Sequence, residues 1–197
     1  LEMNEGVPAF ITQDPAGNYW YQYYNERGLQ KKSKDTPLDL WQYGTDSEYG
    51  ELLIPPIFDT KNNKLWLSGY SELTSYIMNS ALKTVHTYKN NPIGHVTSLV
   101  VDKTTNTIWA GGIGGLLRME SGIWTSMDST NSALTTRMVV GVAQSGSTLW
   151  VGTTDGLVKF DGTNWTRYTP QNSGMPTIGA KVFAVEENGD VWVGLSN

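Results

Sequence analysis

Four acidic residues, Asp14, Asp59, Asp102 and Glu187, recur at one kind of place along the chain, the turn after an apolar run. Two carboxylates brought together could serve as the acid and the nucleophile or base of a glycoside hydrolase. Each of these acids, however, closes an apolar run and precedes a short turn, as in "FITQDPAGN" and "IFDTKNN". There an Asp caps the turn by accepting hydrogen bonds from the N–H groups that follow. A catalytic pair would be two unique residues, and nothing in the sequence singles out two. The expected role is turn capping, and no catalytic residue is predicted.

Other reactive patterns are missing. The sequence contains no G-x-S-x-G, H-E-x-x-H or phosphate-loop motif. Its two histidines, His86 and His95, fall on different elements, which leaves little for a triad or a metal site. The glycine-rich "GGIGGL" at 111–116 follows a strand but precedes another strand, so the helix N-terminus that would hold a phosphate is lacking. Acidic "DGTN" at 161–164 gathers too few oxygens for calcium. Asn164-Trp165-Thr166 matches a glycosylation acceptor, but Trp165 occupies a periodic core position and the match reads as coincidence. No metal and no cofactor are expected.

The elements that position these residues follow from a repeat. Tryptophans stand at Trp20, Trp66, Trp109, Trp150 and Trp192, at intervals of 46, 43, 41 and 42 residues. Gly follows two positions later at Gly111, Gly152 and Gly194; Ser68 and Gln22 take that place in the earlier copies. About ten residues upstream lies an apolar run ("AFITQD", "IPPIFD", "VTSLVVD", "MVVGVAQ", "VFAVEE"), and a turn separates it from the tryptophan. A Leu follows at Leu29, Leu73, Leu116 and Leu157, and then a second aromatic or β-branched segment.

Each copy reads as four short strands, here a to d, joined by tight turns rich in Asp-Gly and Asn-Gly. Four antiparallel strands every 40–50 residues are the mark of a β-propeller blade. The expectation is an all-β, partial or open propeller forming one domain over 1–197. Its blades run over about 9–43, 54–88, 96–127 and 138–168, with the first two strands of a fifth over 181–197. The five indoles should fill the wedges between neighbouring blades, and the small residue after each should let the next backbone approach. Pro55 and Pro56 fall in a strand a, an edge position where the missing N–H is tolerated.

On "VVDKTTNTIWAGGIGGL", "TLWVGTTDGLVKFDGTNW" and "VFAVEENGDVWVG", the chain resembles the two-component regulator propeller family. "FDTKNNKLWLSGYSEL" is a looser match, and the first copy keeps the turn and the Trp but loses the Gly. The resemblance implies an extracytoplasmic propeller, periplasmic or at the cell surface. Such domains are commonly the sensory region of bacterial hybrid histidine kinases that detect glycans, and sometimes free-standing surface proteins. No kinase or receiver segment is present in this sequence.

Composition agrees with sheets and narrows the partners. Charged residues make up 17% of the 197, while Gly (21), Trp (8) and Tyr (10) are abundant. A formal net charge of −5 argues against nucleic acid as a partner. No apolar run is long enough to insert in a membrane. The start, "LEMNEGVPAF", has no basic, apolar leader, so any secretory signal is expected to have been removed or to lie outside the sequence. With no Cys, disulfides and thiolate chemistry are excluded.

Two sets of residues are candidates for ligand binding. His95, Arg137 and Lys181 stand just before strand a in copies three to five and would form a basic rim at one mouth of the channel, suited to an anionic ligand. Tyr23, Asn25 and Arg27 in the first b–c loop, with Tyr70 and Glu72 in the second, combine aromatic faces with planar polar groups, as sugar recognition requires. The d–a connections at 44–53, 89–95, 128–137 and 169–180 belong to the same face. The reading is a non-catalytic sensing propeller that takes an oligosaccharide or a protein on that loop face. An assembly module of a surface or secretion-associated protein is the alternative, self-association through open blade edges is a further expectation, and a propeller glycoside hydrolase comes last.

Overall fold

The computed structural model describes all residues except 1–7, 24–28, 36–39, 44–53, 69–71, 78–82, 90–91, 103, 187 and 197. For 8–9, 23, 40–43, 72, 74–77, 83–89, 182–183 and 196 it describes the backbone alone. Every element is a strand. The first sheet is β1 (Pro8–Gln13), β2 (Tyr19–Tyr23), β3 (Leu29–Lys32) and β4 (Leu40–Tyr43). The second is β5 (Ile57–Asp59), β6 (Lys64–Ser68), β7 (Glu72–Ile77) and β8 (Lys83–Lys89). The third is β9 (Val96–Val101), β10 (Ile108–Gly112), β11 (Gly115–Glu120) and β12 (Ile123–Met127). The fourth is β13 (Val139–Ser145), β14 (Thr148–Thr153), β15 (Gly156–Phe160) and β16 (Trp165–Tyr168). A fifth, two-stranded sheet joins β17 (Gly179–Val185) to β18 (Val191–Ser196). All are antiparallel meanders in chain order. The chain divides into two compact units, Leu1–Lys89 with two sheets and Asn90–Asn197 with three.

Turn chemistry explains the meanders. Gly115 and Gly156 open the third strands at φ +138° and +129°, values that only glycine adopts without strain. The proline pair lies ahead of a shortened strand rather than inside one: β5 begins at Ile57, after Pro55 and Pro56. Proline has no N–H to give to the ladder, so pairing starts only beyond it.

Packing within each unit follows one rule: the indole of a sheet is covered by the sheet that comes next in the chain. In the first unit Trp20 (3% exposed) clusters with Leu65 and Leu67 of the second sheet, with Phe58 at 6.1 Å. In the second unit Trp109 (2%) lies among Val142, Leu149, Val151 and Val158 of the fourth sheet. Phe160 and Trp165, stacked on each other at 4.6 Å, meet its ring at 5.8 and 6.0 Å. Trp150 is half-buried against Val185, Val191 and Val193 of the fifth sheet. Trp66 is buried as well, but Trp192 is 62% exposed. The expectation of five wedged indoles is therefore corrected for the last one, because among the described residues no sheet follows it.

The close approach of sheets three and four needs a residue without a side chain. A Cβ on Gly111 would lie 2.4 Å from Val139 Cγ1. Hydrogen bonds then tie the first strands together: the Thr97 hydroxyl donates to the Val139 carbonyl at 2.8 Å, and Ser98 Oγ accepts from Val142 N–H at 3.0 Å.

Candidate functional site

The periodic acids are occupied with their own turns. Asp14 Oδ1 accepts from the N–H groups of Ala16 (3.0 Å) and Asn18 (2.8 Å), and its Oδ2 from the Trp20 indole at 2.9 Å. Asp59 accepts from Asn62 N–H at 3.1 Å. Asp102 caps its turn through Thr104 N–H (2.7 Å) and the Thr105 hydroxyl (2.7 Å). Burial works against the charge of Asp14 and Asp102, yet these hydrogen bonds outweigh it and hold both below the ordinary carboxylate range. In the fifth sheet Glu187 lies outside the described residues. The register there (Ala184 opposite Trp192) gives the equivalent place to Glu186, which accepts the Trp192 indole N–H at 2.6 Å. No group of three or more His, Asp or Glu that could hold a metal occurs among the described residues.

The glycine-rich loop is a turn with its donors engaged. Ile113 N–H donates to the His95 carbonyl at 3.1 Å and Gly114 N–H to that of Ile93 at 2.8 Å. A Cβ on Gly112 would meet the His95 carbonyl oxygen at 2.4 Å. The loop is thus clamped on residues 93–95, and those two N–H groups are not free to face a phosphate.

The loop end of the second unit, where the b–c turns meet the starts of the first strands, carries the described basic candidates. His95 immediately precedes β9 and is half-buried. Arg137 is exposed two residues before β13, and its charge reaches Asp128. Asp128 is held below the usual range first by the Thr130 hydroxyl and N–H, with Arg137 adding to this. Lys181 is exposed but lies within β17, opposite Gly194. Taking Gly112–Val96, Thr153–Val139 and Leu195–Ala180 as the common rung, the three side chains sit one before, two before and one after it. They share an end of the unit, not a single ring in register. Sequence reasoning missed that Ile113, Met138 and Ile178 are exposed at this same end. The sequence places each beside a first strand or in a b–c turn, but no local pattern there tells an exposed aliphatic from a buried one.

Of the aromatic set, Asn25, Arg27 and Tyr70 lie outside the described residues. Tyr23 closes β2 opposite Pro8 and Glu72 opens β7 opposite Lys89, with side chains outside the description.

A cleft of about 540 Å³ opens at the other end, between the fourth and fifth sheets, lined by Ser147, Thr148, Trp150, Lys159, Val185 and Asn188. Lys159 Nζ stands 5.6 Å over the Trp150 ring. The same cation recurs opposite other indoles, with Lys31 over Trp20 at 5.2 Å and Arg118 over Trp109 at 5.4 Å. It therefore belongs to the repeat. The cleft lies over Trp150, whose counterpart Trp109 is covered by Phe160 and Trp165.

No family model matches the chain, and no curated protein matches it. Solved structures do. The extracellular domain of BT3049, a hybrid two-component system protein of B. thetaiotaomicron, is 18% identical with a TM-score of 0.75. That match covers 93% of this chain and 25% of the other. Virginiamycin B lyase from Staphylococcus aureus is 11% identical with a TM-score of 0.72, over 98% of this chain and 64% of the lyase. PorZ, a surface component of the type-IX secretion system of Porphyromonas gingivalis, is 14% identical with a TM-score of 0.60, over 94% and 32%. The chain thus spans about a quarter of the two-component domain's length. At these identities the likeness speaks for the fold alone: the chain is an all-β protein of the β-propeller class, built from four-stranded antiparallel blades.

Proposed function

We propose that this chain is part of an extracytoplasmic, non-catalytic sensing propeller that binds a glycan or a protein on its loop face. The observation that carries the reading is the loop end of the second unit. There Ile113, Met138 and Ile178 stand exposed beside Arg137 and Lys181. Isolated exposed aliphatics are ordinary, but three at one end of three adjacent sheets, interleaved with cations, form a surface suited to a ligand with apolar and anionic groups. The periodic carboxylates Asp14, Asp59 and Asp102 cap their own turns, which supports the non-catalytic reading. The similarity to extracellular two-component domains supports a sensory role outside the cytoplasm and the two-component connection. In the described residues no helix is long and apolar enough to cross a membrane.

The test is a thermal-shift screen of soluble oligosaccharides and acidic peptides at fixed protein concentration. A ligand at a hundredfold excess over its dissociation constant should stabilise the protein by about 2.7 kcal/mol. Arg137→Glu with Lys181→Glu should abolish the shift of an anionic ligand, and Tyr23→Ala with Tyr70→Ala that of a sugar. Silence across both panels, or shifts that these variants leave intact, would count against the loop face.

A further inference from the structure

In the second unit β12 and β16 are edge strands: among the described residues no strand pairs with them on the side away from β11 and β15. Such an edge offers N–H and C=O groups to which another chain can add a strand, and charged side chains or proline commonly close it. β12, "IWTSM", carries neither, and Ile123 at its start is 70% exposed. β16, "WTRY", has a single charge, Arg167, whose guanidinium is held by Asp155 at 2.7 Å. Both strands need another form of protection.

The ladder tells which backbone groups face outward, because pairing alternates along an antiparallel strand. Glu120 pairs with Ile123 across the two-residue turn Ser121-Gly122, so Ile123, Thr125 and Met127 turn their backbone groups to β11. Ser126 and Asp128 then face away. In the fourth sheet Asp161 N–H donates to the Asn164 carbonyl at 3.1 Å, and the same alternation turns Arg167 and Thr169 away from β15.

One side-chain amide meets each outward pair. Asn131 donates to the Ser126 carbonyl at 3.0 Å and accepts from Asp128 N–H at 2.9 Å. Asn172 donates to the Arg167 carbonyl at 2.9 Å and accepts from Thr169 N–H at 2.7 Å. A tight turn brings each Asn back over its strand, fixed by Ser132 N–H on the Asp128 carbonyl at 2.9 Å and by the Ser173 hydroxyl on that of Thr169 at 2.6 Å. Each amide occupies the place that the backbone of an added strand would take.

We infer that Asn131 and Asn172 guard these edges against strand addition, and that an edge without its Asn pairs with the same edge of a second copy. The occupant is a second copy because every copy presents the same strand, and two identical strands can meet antiparallel in a closed, two-fold contact. The inference is independent of any ligand at the loop face.

Sedimentation velocity on the whole chain, well below the melting temperature, tests it. At equal concentration Asn131→Ala should associate more tightly than wild type by roughly tenfold or more, since each copy frees one donor and one acceptor. The single variant should stop at pairs, whereas Asn131→Ala with Asn172→Ala has two open edges and should grow further. Adding Ser126→Lys, at an exposed position on β12, should return Asn131→Ala to the wild-type distribution. Gln144→Ala, which loses a hydrogen bond elsewhere and keeps both guards, should sediment as wild type and so separates edge pairing from mere loss of stability. Should Asn131→Ala fail to fold, Asn172→Ala carries the same test on the other edge. Folded Asn variants no more associated than wild type, Gln144→Ala that associates as strongly as they do, or association that Ser126→Lys leaves intact would each overturn the inference.

Discussion

Gln144 of the fourth sheet donates its side-chain N–H to Asp102 Oδ2 of the third at 2.8 Å, and to the Gly146 carbonyl at 3.0 Å. Asp102 thereby serves two interfaces: it caps its own turn and latches the neighbouring sheet. Gln144→Ala should lower stability by about 1 kcal/mol, the usual net worth of such a bond. Asp102→Asn should cost more, about 1–3 kcal/mol, because an amide nitrogen would face donors in place of one oxygen. Urea unfolding of the two variants checks the order.

The same carboxylate sets a pH dependence. The folded-state pKa of Asp102, like that of Asp14, lies below its ordinary value. A depressed pKa means that the contribution is fully present above the unfolded value of about 3.9 and is lost as pH falls through the folded one. Wild-type stability should therefore fall on acidification below that range. Asp102→Asn should show a shallower fall, measurable as melting temperature against pH.

At Gly111 the third and fourth sheets approach closely. Gly111→Ala places a methyl 2.4 Å from Val139 Cγ1, and a buried β-branched residue has little room to yield. The expected cost is about 1–3 kcal/mol. Val139→Ala removes the opposing methyl, so the double variant should be more stable than the sum of the single losses predicts, and a mutant cycle reads the coupling.

The repeat, its four strands and its turn-capping acids were legible because each follows from side-chain type at a fixed offset. The d–a connections were not. Read as seats of specificity, two of them prove to be wired alike. Asn131 Oδ1 accepts from Asp128 N–H at 2.9 Å and Asn172 Oδ1 from Thr169 N–H at 2.7 Å. Their amides donate to Ser126 and Arg167 carbonyls, and Ser132 and Ser173 repeat the parallel further on. The signal lay in "TNSAL" and "QNSGM" at 41 residues' spacing, a match in polar loop residues that hydrophobic periodicity does not report. The loop-end aliphatics escaped for a related reason. Exposure depends on which sheet comes next, and no local pattern encodes that. Asn131→Ala and Asn172→Ala should each destabilise by about 1–2 kcal/mol, since each removes one acceptor and one donor. Near-equal losses in denaturant titrations would confirm the shared role.

The indoles of the second unit offer a graded test of the covering rule. Trp109 is buried and meets Phe160 and Trp165 edge-on, whereas Trp150 is half-buried beside the cleft. Trp109→Ala should cost about 3–5 kcal/mol, the range for aromatic truncation in a core. Trp150→Ala should cost clearly less, because part of its ring is already in water. Lys159→Ala tests what remains at Trp150: the cation over the ring contributes about 0.5–1 kcal/mol at an exposed site, and its loss should vanish in a Trp150→Ala background. Chemical denaturation of the four proteins decides the matter. Equal losses at the two tryptophans would mean that the following sheet does not determine how much each indole stabilises the fold.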